Sequence, residues 1–534
     1  MQSDSTSIYF RNNIKVEPLI DRWYAWTHLI SPATAARNLT ERHLKIIDSY
    51  IQDPDLHAAA VRNPRMLGGP FMDYEGSQVQ GVRALRTQTI AKRGDHIQLS
   101  NAIAQLDAML RNEAKGLSIE PLYARIPPLL RGYVELVYDL NDHASFRLIE
   151  PLLYRSRYYA RDAQSLLLSQ IAADERPFVL STPRLHFDGA LHLAVPFEHE
   201  AIDALFRSKT ESCPMGQIRD LIVPFIQGDA PDLSSLFTPD PPRPYAHYEG
   251  SGVRWRYFGH ACILIETRGV TMLLDPVLSY TYEHHISRYT YDDLPDKLDY
   301  VLITHNHQDH VLLETLLQLR HKIGCIVTPR SSGGDLQDPS LRLLLRALGF
   351  RNVIELGELE TLDGGEVSIM GLPFFGEHAD LDIRSKLAYL VNTGKHKLLF
   401  VADSCNIEPS LYHHLTAETG GVDALFIGME CDGAPMSWLY GPLFTRPVPR
   451  ASDGSRRLAG SDCRQALDVV RTLNCKEVYV YAMGQEPWLS FISSIRYTEQ
   501  SRPILESNRL LQMCADRRIV AERLFGEKEI LIEN

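Results

Sequence analysis

Tyr300-Val-Leu-Ile-Thr304-His305-Asn306-His307-Gln308-Asp309-His310 is the stretch on which the fold turns. Its opening residues, Tyr300 to Ile303, read as an apolar strand that ends at Thr304. A strand end followed by a loop is a place where side chains can converge on one point. His305 and His307 are two apart, so in extended backbone they face the same side. Asp309 and His310 follow at the turn into a helix beginning near Val311. Such a run can send two histidines to one metal and an Asp-His pair to a second one nearby. A chain of this composition would produce the four-residue pattern by chance about once in a thousand.

Working outward, short β-rich segments recur on both sides. Upstream are Val253 to Phe258, Cys262 to Glu266 and Thr271 to Leu274. Downstream are Cys325 to Thr328, Val367 to Met370, Leu387 to Val391, Lys397 to Val401, Ala424 to Ile427 and Glu477 to Tyr481. Helical stretches at 311–320, 339–348 and 461–473 lie between some of them, and 506–523 reads as a helical tail. Many strands with interspersed helices predict packed sheets flanked by helices.

The run His305-x-His307-x-Asp309-His310 after an apolar strand resembles the signature of the metallo-β-lactamase superfamily. Tyr257-Phe-Gly-His-Ala-Cys-Ile-Leu-Ile-Glu266 and Met272-Leu-Leu-Asp-Pro276 resemble its opening strands. The resemblance runs from about 246 to the C-terminus and implies an αββα sandwich with metals at one edge. It also implies three further ligands: a histidine on a later strand-loop, a bridging aspartate and a final histidine. Asp403, which ends the strand Lys397 to Ala402, fits the bridging role.

The other two positions depart from the superfamily pattern. After Val367 to Met370 the chain reads Gly371-Leu-Pro-Phe-Phe-Gly-Glu377-His378, so Glu377 or His378 supplies that ligand. No histidine follows His414. His413 and His414 lie on an expected helix and substitute poorly. Glu430 closes the strand Ala424 to Met429, and its role as ligand or neighbour stays open.

Carboxylates in place of imidazoles make the metals weaker Lewis acids and favour iron in higher oxidation states over zinc. The departure resembles the diiron β-hydroxylases of antibiotic biosynthesis, the chloramphenicol pathway in particular. That resemblance implies His305, His307 and Glu377 on one iron, Asp309 and His310 on the other, and Asp403 bridging, with Glu377 and Asp403 counted as catalytic. It implies two Fe ions, O₂ as co-substrate and β-hydroxylation of L-p-aminophenylalanine. The amino acid is held as a thioester on a phosphopantetheinylated carrier domain of a nonribosomal peptide synthetase. No flavin, Gly-x-Gly-x-x-Gly or cysteine-cluster motif is visible, so an external reductant, an electron-donating reductase, is implied. A homodimer is implied as well. The competing reading is a dizinc hydrolase of a lactone, thioester or phosphodiester, which the intact histidine run supports and Glu377 opposes.

The 534 residues exceed one ordinary core and suggest at least two domains. The boundary is Thr238-Pro-Asp-Pro-Pro-Arg-Pro244, whose prolines can continue neither a helix nor a central strand. The expected organisation is a mixed α/β region over 1–237, a linker over 238–245 and the catalytic domain over 246–534. In the first region Thr40 reads as a cap for a helix through Ile51, 97–115 as a helix, and Val134 to Tyr138 and Pro177 to Leu180 as strands. It carries no catalytic motif and is expected to serve dimerisation or partner docking.

A formal net charge of −12 argues against a nuclease or other nucleic-acid partner. No apolar run reaches the ~20 residues a membrane span needs. The polar start holds no signal-peptide core, and the eight cysteines form no Cys-x-x-Cys pair. Both features favour a cytoplasmic protein with reduced thiols. Trp438, Tyr440, Trp488 and Phe491 are candidates for an aromatic pocket, although packed aromatics are commoner. Arg446, Arg450, Arg456 and Arg457 are candidates for guiding a carrier phosphate, although a solvated loop is the commoner outcome. His260 reads as a structural hydrogen-bonding residue.

Overall fold

Alternation along the strands after Val253 decides the architecture. Val253, Trp255 and Tyr257 point one way, and they meet Tyr389, Phe426 and Tyr479 from a second sheet in one buried cluster. The computed structural model describes residues 7–74, 78–173, 176, 178–228 and 232–533. It has two seven-stranded sheets facing each other.

The first sheet runs from Val353–Leu356 through Ile323–Pro329, Leu298–Leu302, Thr271–Leu274, Cys262–Glu266 and Val253–Gly259 to Lys528–Ile532. The second runs from Thr361–Asp363 through Ser368–Leu372, Ala388–Asn392, Lys397–Phe400, Ala424–Gly428 and Glu477–Tyr481 to Val520–Arg523. Each sheet is antiparallel on one side and parallel on the other.

The outer face of the second sheet is covered by helices Ser410–Thr419, Cys463–Thr472 and Arg502–Ala515 through Leu399, Leu425, Val478 and their neighbours. The outer face of the first sheet packs on helices Leu313–Leu319 and Leu341–Ala347. Together these layers make the expected αββα sandwich.

The region before the proline stretch is mixed α/β. A four-stranded sheet orders Trp23–Tyr24, Ile14–Ile20, Gln164–Gln170 and Leu191–Leu193. Ile14, Val16, Leu166 and Leu168 of this sheet, with Phe197 beyond it, join the same cluster as Val301, Ile303 and Leu316 of the sandwich. Every residue of helix Leu313–Leu319 is buried, because sheet and N-terminal region cover it from two sides. Among the described residues no helix is long and apolar enough to cross a membrane.

Three local expectations are corrected. Thr40 caps nothing: it sits in a π-helical turn, Leu39–His43, inside a continuous helical run from Pro32 to Gln52. Its hydroxyl donates back to Ala36 O at 2.7 Å, a habit of mid-helix threonine. The run starts instead at Ser31, with Pro32 at the first helical position. The strand expected at Pro177 to Leu180 is not formed: Phe178 to Leu180 are a turn with Phe178 in the left-handed region, and Pro177 lies outside the described residues. The tail helix stops at Ala515, and Val520–Arg523 is an edge strand of the second sheet. Arg518 at φ +60° reverses the chain, and β-branched Ile519 and Val520 then favour extension.

Candidate metal centre

Five strand ends open on one edge of the sandwich. Leu298–Leu302 leads to His305, Ser368–Leu372 to Glu377, Lys397–Phe400 to Asp403, Thr271–Leu274 to Asp275 and Val253–Gly259 to His260. Loops leaving a common sheet edge are where convergent side chains collect. The backbone bends sharply there. His260, Asp275, Glu377 and Ala402 all take left-handed φ, between +36° and +64°. For residues other than glycine that conformation costs of order 1–3 kcal/mol each and persists only where the surroundings enforce it.

The side chains arrive as three overlapping sets of donor atoms, each within 4.8 Å: His305, His307 and Glu377; His305, His310 and Asp403; His260, Asp309 and His310. His307 Nδ1 lies 2.7 Å from Glu377 Oε1, and His310 Nε2 lies 3.0 Å from Asp403 Oδ2. His305 Nε2 stands 3.8 Å from Asp403 Oδ2 and 3.9 Å from Glu377 Oε2. All six sequence-predicted residues are therefore brought together. His260, expected to be structural, joins them with Nε2 3.2 Å from Asp309 Oδ2.

Second contacts fix which ring nitrogen faces inward. Thr304 Oγ1 donates to Asp275 Oδ2 at 2.6 Å, so it is free to accept from His305 Nδ1 at 3.0 Å. His310 Nδ1 donates to Asp275 Oδ2 at 2.8 Å. Tyr440 OH sits 2.8 Å from His378 Nδ1 and 3.2 Å from His307 Nε2. Donating to His378, it accepts from His307. These bonds leave His305 Nε2, His307 Nδ1 and His310 Nε2 with lone pairs pointing inward, the arrangement metal-binding imidazoles use.

Asp275 and Tyr440 are the residues that sequence reading missed as members of the site. Asp275 carried a usable signal, an apolar strand ending in Asp as at Asp403. Tyr440 was picked out only as an aromatic-pocket candidate, and nothing in the sequence tied it to the imidazoles, since 133 positions separate it from His307.

Several buried ligand atoms make no hydrogen bond to protein, His305 Nε2, Asp403 Oδ1 and His260 Nδ1 among them, while Glu377 Oε2 and His260 Nε2 have only their 3.2 Å approaches to His378 and Asp309. Stranding so many polar atoms in one place is costly unless cations satisfy them. Three histidines with three carboxylates, all close-set, fit two hard divalent or trivalent cations better than one.

The electrostatics differ between the rings, because His310 lies between two carboxylates that a bound cation would otherwise share. Burial and the surrounding imidazoles push His305 well below the ordinary imidazole range. Burial opposes charge on His310 too, but Asp275 and Asp403 outweigh it and raise that ring well above the ordinary value. Asp309 is depressed, because His260 and His310 overcome the effect of its burial.

Glu430 falls outside the three sets. Asp432 N–H donates to its Oε1 at 3.0 Å, the Tyr497 hydroxyl donates to Oε2, and burial pushes it up to about 7. His378 likewise stays behind Glu377, with Nε2 3.2 Å from Oε2. His413 and His414 are exposed on their helix. A cavity of 430 Å³ descends to Asp309, Glu377 and Asp403, with Trp438, Glu430 and Arg457 on its walls. Trp488 and Phe491 are core residues instead, and Arg446 and Arg450 lie exposed outside it.

Fold and site together define a metal-dependent protein of the metallo-β-lactamase superfamily. Residues 254–430 match the profile of a beta-lactamase superfamily domain, and residues 9–241 that of the diiron non-heme beta-hydroxylase N-terminal domain. The 4-amino-L-phenylalanyl-[CmlP-peptidyl-carrier-protein] 3-hydroxylase of Streptomyces venezuelae is 40% identical over 525 residues, 96% of this chain and 98% of that one. The crystal structure of CmlA, a diiron β-hydroxylase from Streptomyces venezuelae, superposes with a TM-score of 0.92 at 39% identity, covering 99% of this chain and 100% of that one. The E377D mutant of CmlA superposes with a TM-score of 0.90 at 38% identity, over 98% of this chain and 100% of that one. The chain belongs to the diiron β-hydroxylases, oxygen-dependent hydroxylating enzymes built on two irons.

Proposed function

We propose that this chain hydroxylates the β-carbon of a 4-amino-L-phenylalanyl thioester carried on the phosphopantetheine arm of a nonribosomal peptide synthetase carrier domain, as a step in chloramphenicol-type antibiotic biosynthesis. The observation that carries the reading is Glu377 beside His307, where a zinc hydrolase of this fold would set a third histidine. Likeness to the Streptomyces hydroxylase along nearly the whole chain supports the substrate.

In this reading His305, His307 and Glu377 would hold one iron, Asp309 and His310 the other, and Asp403 would serve both. When bound, the iron pair supplies O₂ activation. One oxygen atom enters the C–H bond as hydroxyl and the other leaves as water, with two electrons and two protons from an external reductant.

The chain's own groups do the positioning. Asp275 and Thr304 orient His310 and His305, and Tyr440 orients His307. Glu377 would offer a metal two oxygen atoms where a histidine offers one nitrogen. Residues 1–237 serve as a domain for dimerisation or for partner docking, 238–245 as linker and 246–534 as catalytic domain. A homodimer, a separate electron-donating reductase and a cytoplasmic setting complete the proposal.

Iron quantification with Mössbauer spectroscopy on the isolated protein tests it, alongside hydroxylation assays on carrier-bound substrate. Two coupled irons with O₂-dependent addition of one oxygen atom are expected. Two zincs with thioester or lactone hydrolysis and no O₂ uptake would overturn it in favour of the hydrolase.

A further inference from the structure

The cavity above the metal ligands changes character along its length. Arg457, Arg496 and Arg502 line it together with Asp309, Glu377 and Asp403. Exposure orders them. The side chains of Glu377 and Asp403 are 6% and 12% exposed, those of Arg457 and Arg502 38% and 57%. The carboxylates thus lie at the deep end and the guanidinium groups at the mouth.

Arg457 Nη2 donates to Asp432 O at 2.9 Å and stands 4.0 Å from Asp432 Oδ1, while Arg502 Nη1 donates to Cys431 O at 3.3 Å and its Nη2 stands 4.0 Å from Asp462 Oδ2. Among the described residues neither makes a second hydrogen bond, so each keeps N–H groups for an anion. Among the described residues Arg496 has no hydrogen bond or ion pair at all. In a chain of formal net charge −12, three arginines gather at one opening, with Asp432 the exposed carboxylate among them. Guanidinium forks suit phosphate oxygens, which they can grip with two parallel hydrogen bonds.

The geometry points to Arg496, flanked by Arg502 and Arg457, as the site that holds the phosphodiester of the phosphopantetheine arm. This assignment rests on the carrier-tethered substrate proposed above. The anion stays at the mouth while the thioester and its aminoacyl group reach the metal-facing end. The arginines would then both select a carrier-borne substrate over the free amino acid and set how deep the arm descends.

The test compares two thioesters of 4-aminophenylalanine on the iron-loaded enzyme, one on pantetheine and one on 4′-phosphopantetheine. Charge-assisted hydrogen bonds predict that the unmodified enzyme favours the phosphorylated form by about tenfold or more in kcat/KM. In the R496A/R502A double variant that ratio should fall toward one, and R496K/R502K should recover part of it. Raising the salt concentration should shrink the ratio in the unmodified enzyme, a readout that needs no variant to fold. Inorganic phosphate should compete with the phosphorylated form alone. A ratio near one in the unmodified enzyme, or one that the double substitution leaves intact, overturns the arginine site while the tethered-substrate reading stands. Turnover of the free amino acid with neither thioester accepted overturns both.

Discussion

At the level of single residues, the site depends on groups that never touch a metal. Asp275 is wholly buried and binds Thr304 N, Thr304 Oγ1 and His310 Nδ1 through its two oxygens. One carboxylate therefore orients two imidazoles. Asp275→Asn keeps the shape but presents an N–H where two donors already point. Losing such an orienting partner typically costs about 10–100-fold in metal affinity or activity. We expect that range in iron affinity, measured by chelator competition, with the fold retained by circular dichroism. An unchanged affinity would remove Asp275 from the site.

The residue scale also shows what could be read beforehand. His305, His307, Asp309 and His310 were legible because they fall within six consecutive positions. Asp403 was legible because an apolar strand leads into it. By residue type alone Glu377 and His378 stood equal and the resemblance favoured Glu377, which in space meets His307 Nδ1 at 2.7 Å while His378 lies behind it. Tyr440 and the inward position of His260 depend on contacts between distant segments, which periodicity cannot encode.

At the level of elements, strands were more legible than the N-terminal helices. Strands of the sandwich are short apolar runs cut off by glycine and polar turns, so their edges are marked locally. The run from Pro32 to Gln52 hides its start behind a π turn, and its burial is set by partners far along the chain.

One junction between elements yields a pH prediction. Glu150 opens helix Glu150–Tyr154, and its carboxylate accepts from Ser340 N, the cap of helix Leu341–Ala347, at 3.1 Å. Burial raises it from an ordinary 4.5 to about 7, with Asp338, Glu355 and Asp335 adding to the effect. The folded state therefore holds its proton more tightly than the unfolded chain does. That contribution to stability is complete below pH 4.5 and is lost as pH rises through about 7. Glu150→Gln should remove the loss, stabilising the protein at pH 8 by about 1–3 kcal/mol and leaving pH 4 nearly unchanged. Melting temperatures at the two pH values check this. An equal shift at both would show that packing, not ionisation, governs the position.

At the level of the whole molecule, the proline stretch separates two regions of sequence but not two cores. Glu314 of the sandwich accepts hydrogen bonds from Tyr24 OH at 2.7 Å, Tyr280 OH at 2.6 Å and Arg176 Nη1 at 2.8 Å, so the N-terminal region and the sandwich share one buried charge. Arg176 also reaches Glu17 at 3.5 Å and stacks on Phe491 at 3.6 Å. A buried charge that loses its partners costs roughly 3–5 kcal/mol, before any apolar surface is counted. Residues 1–240 and 241–534 expressed separately should each be insoluble, and co-expression should recover soluble complex. A soluble, monomeric 241–534 fragment that binds two irons would refute the dependence. For the gene, the loop that looks like the natural crossover point is a poor one. Recombination there would hand a descendant half of one core from each parent, so the two halves must be inherited, and must drift, together.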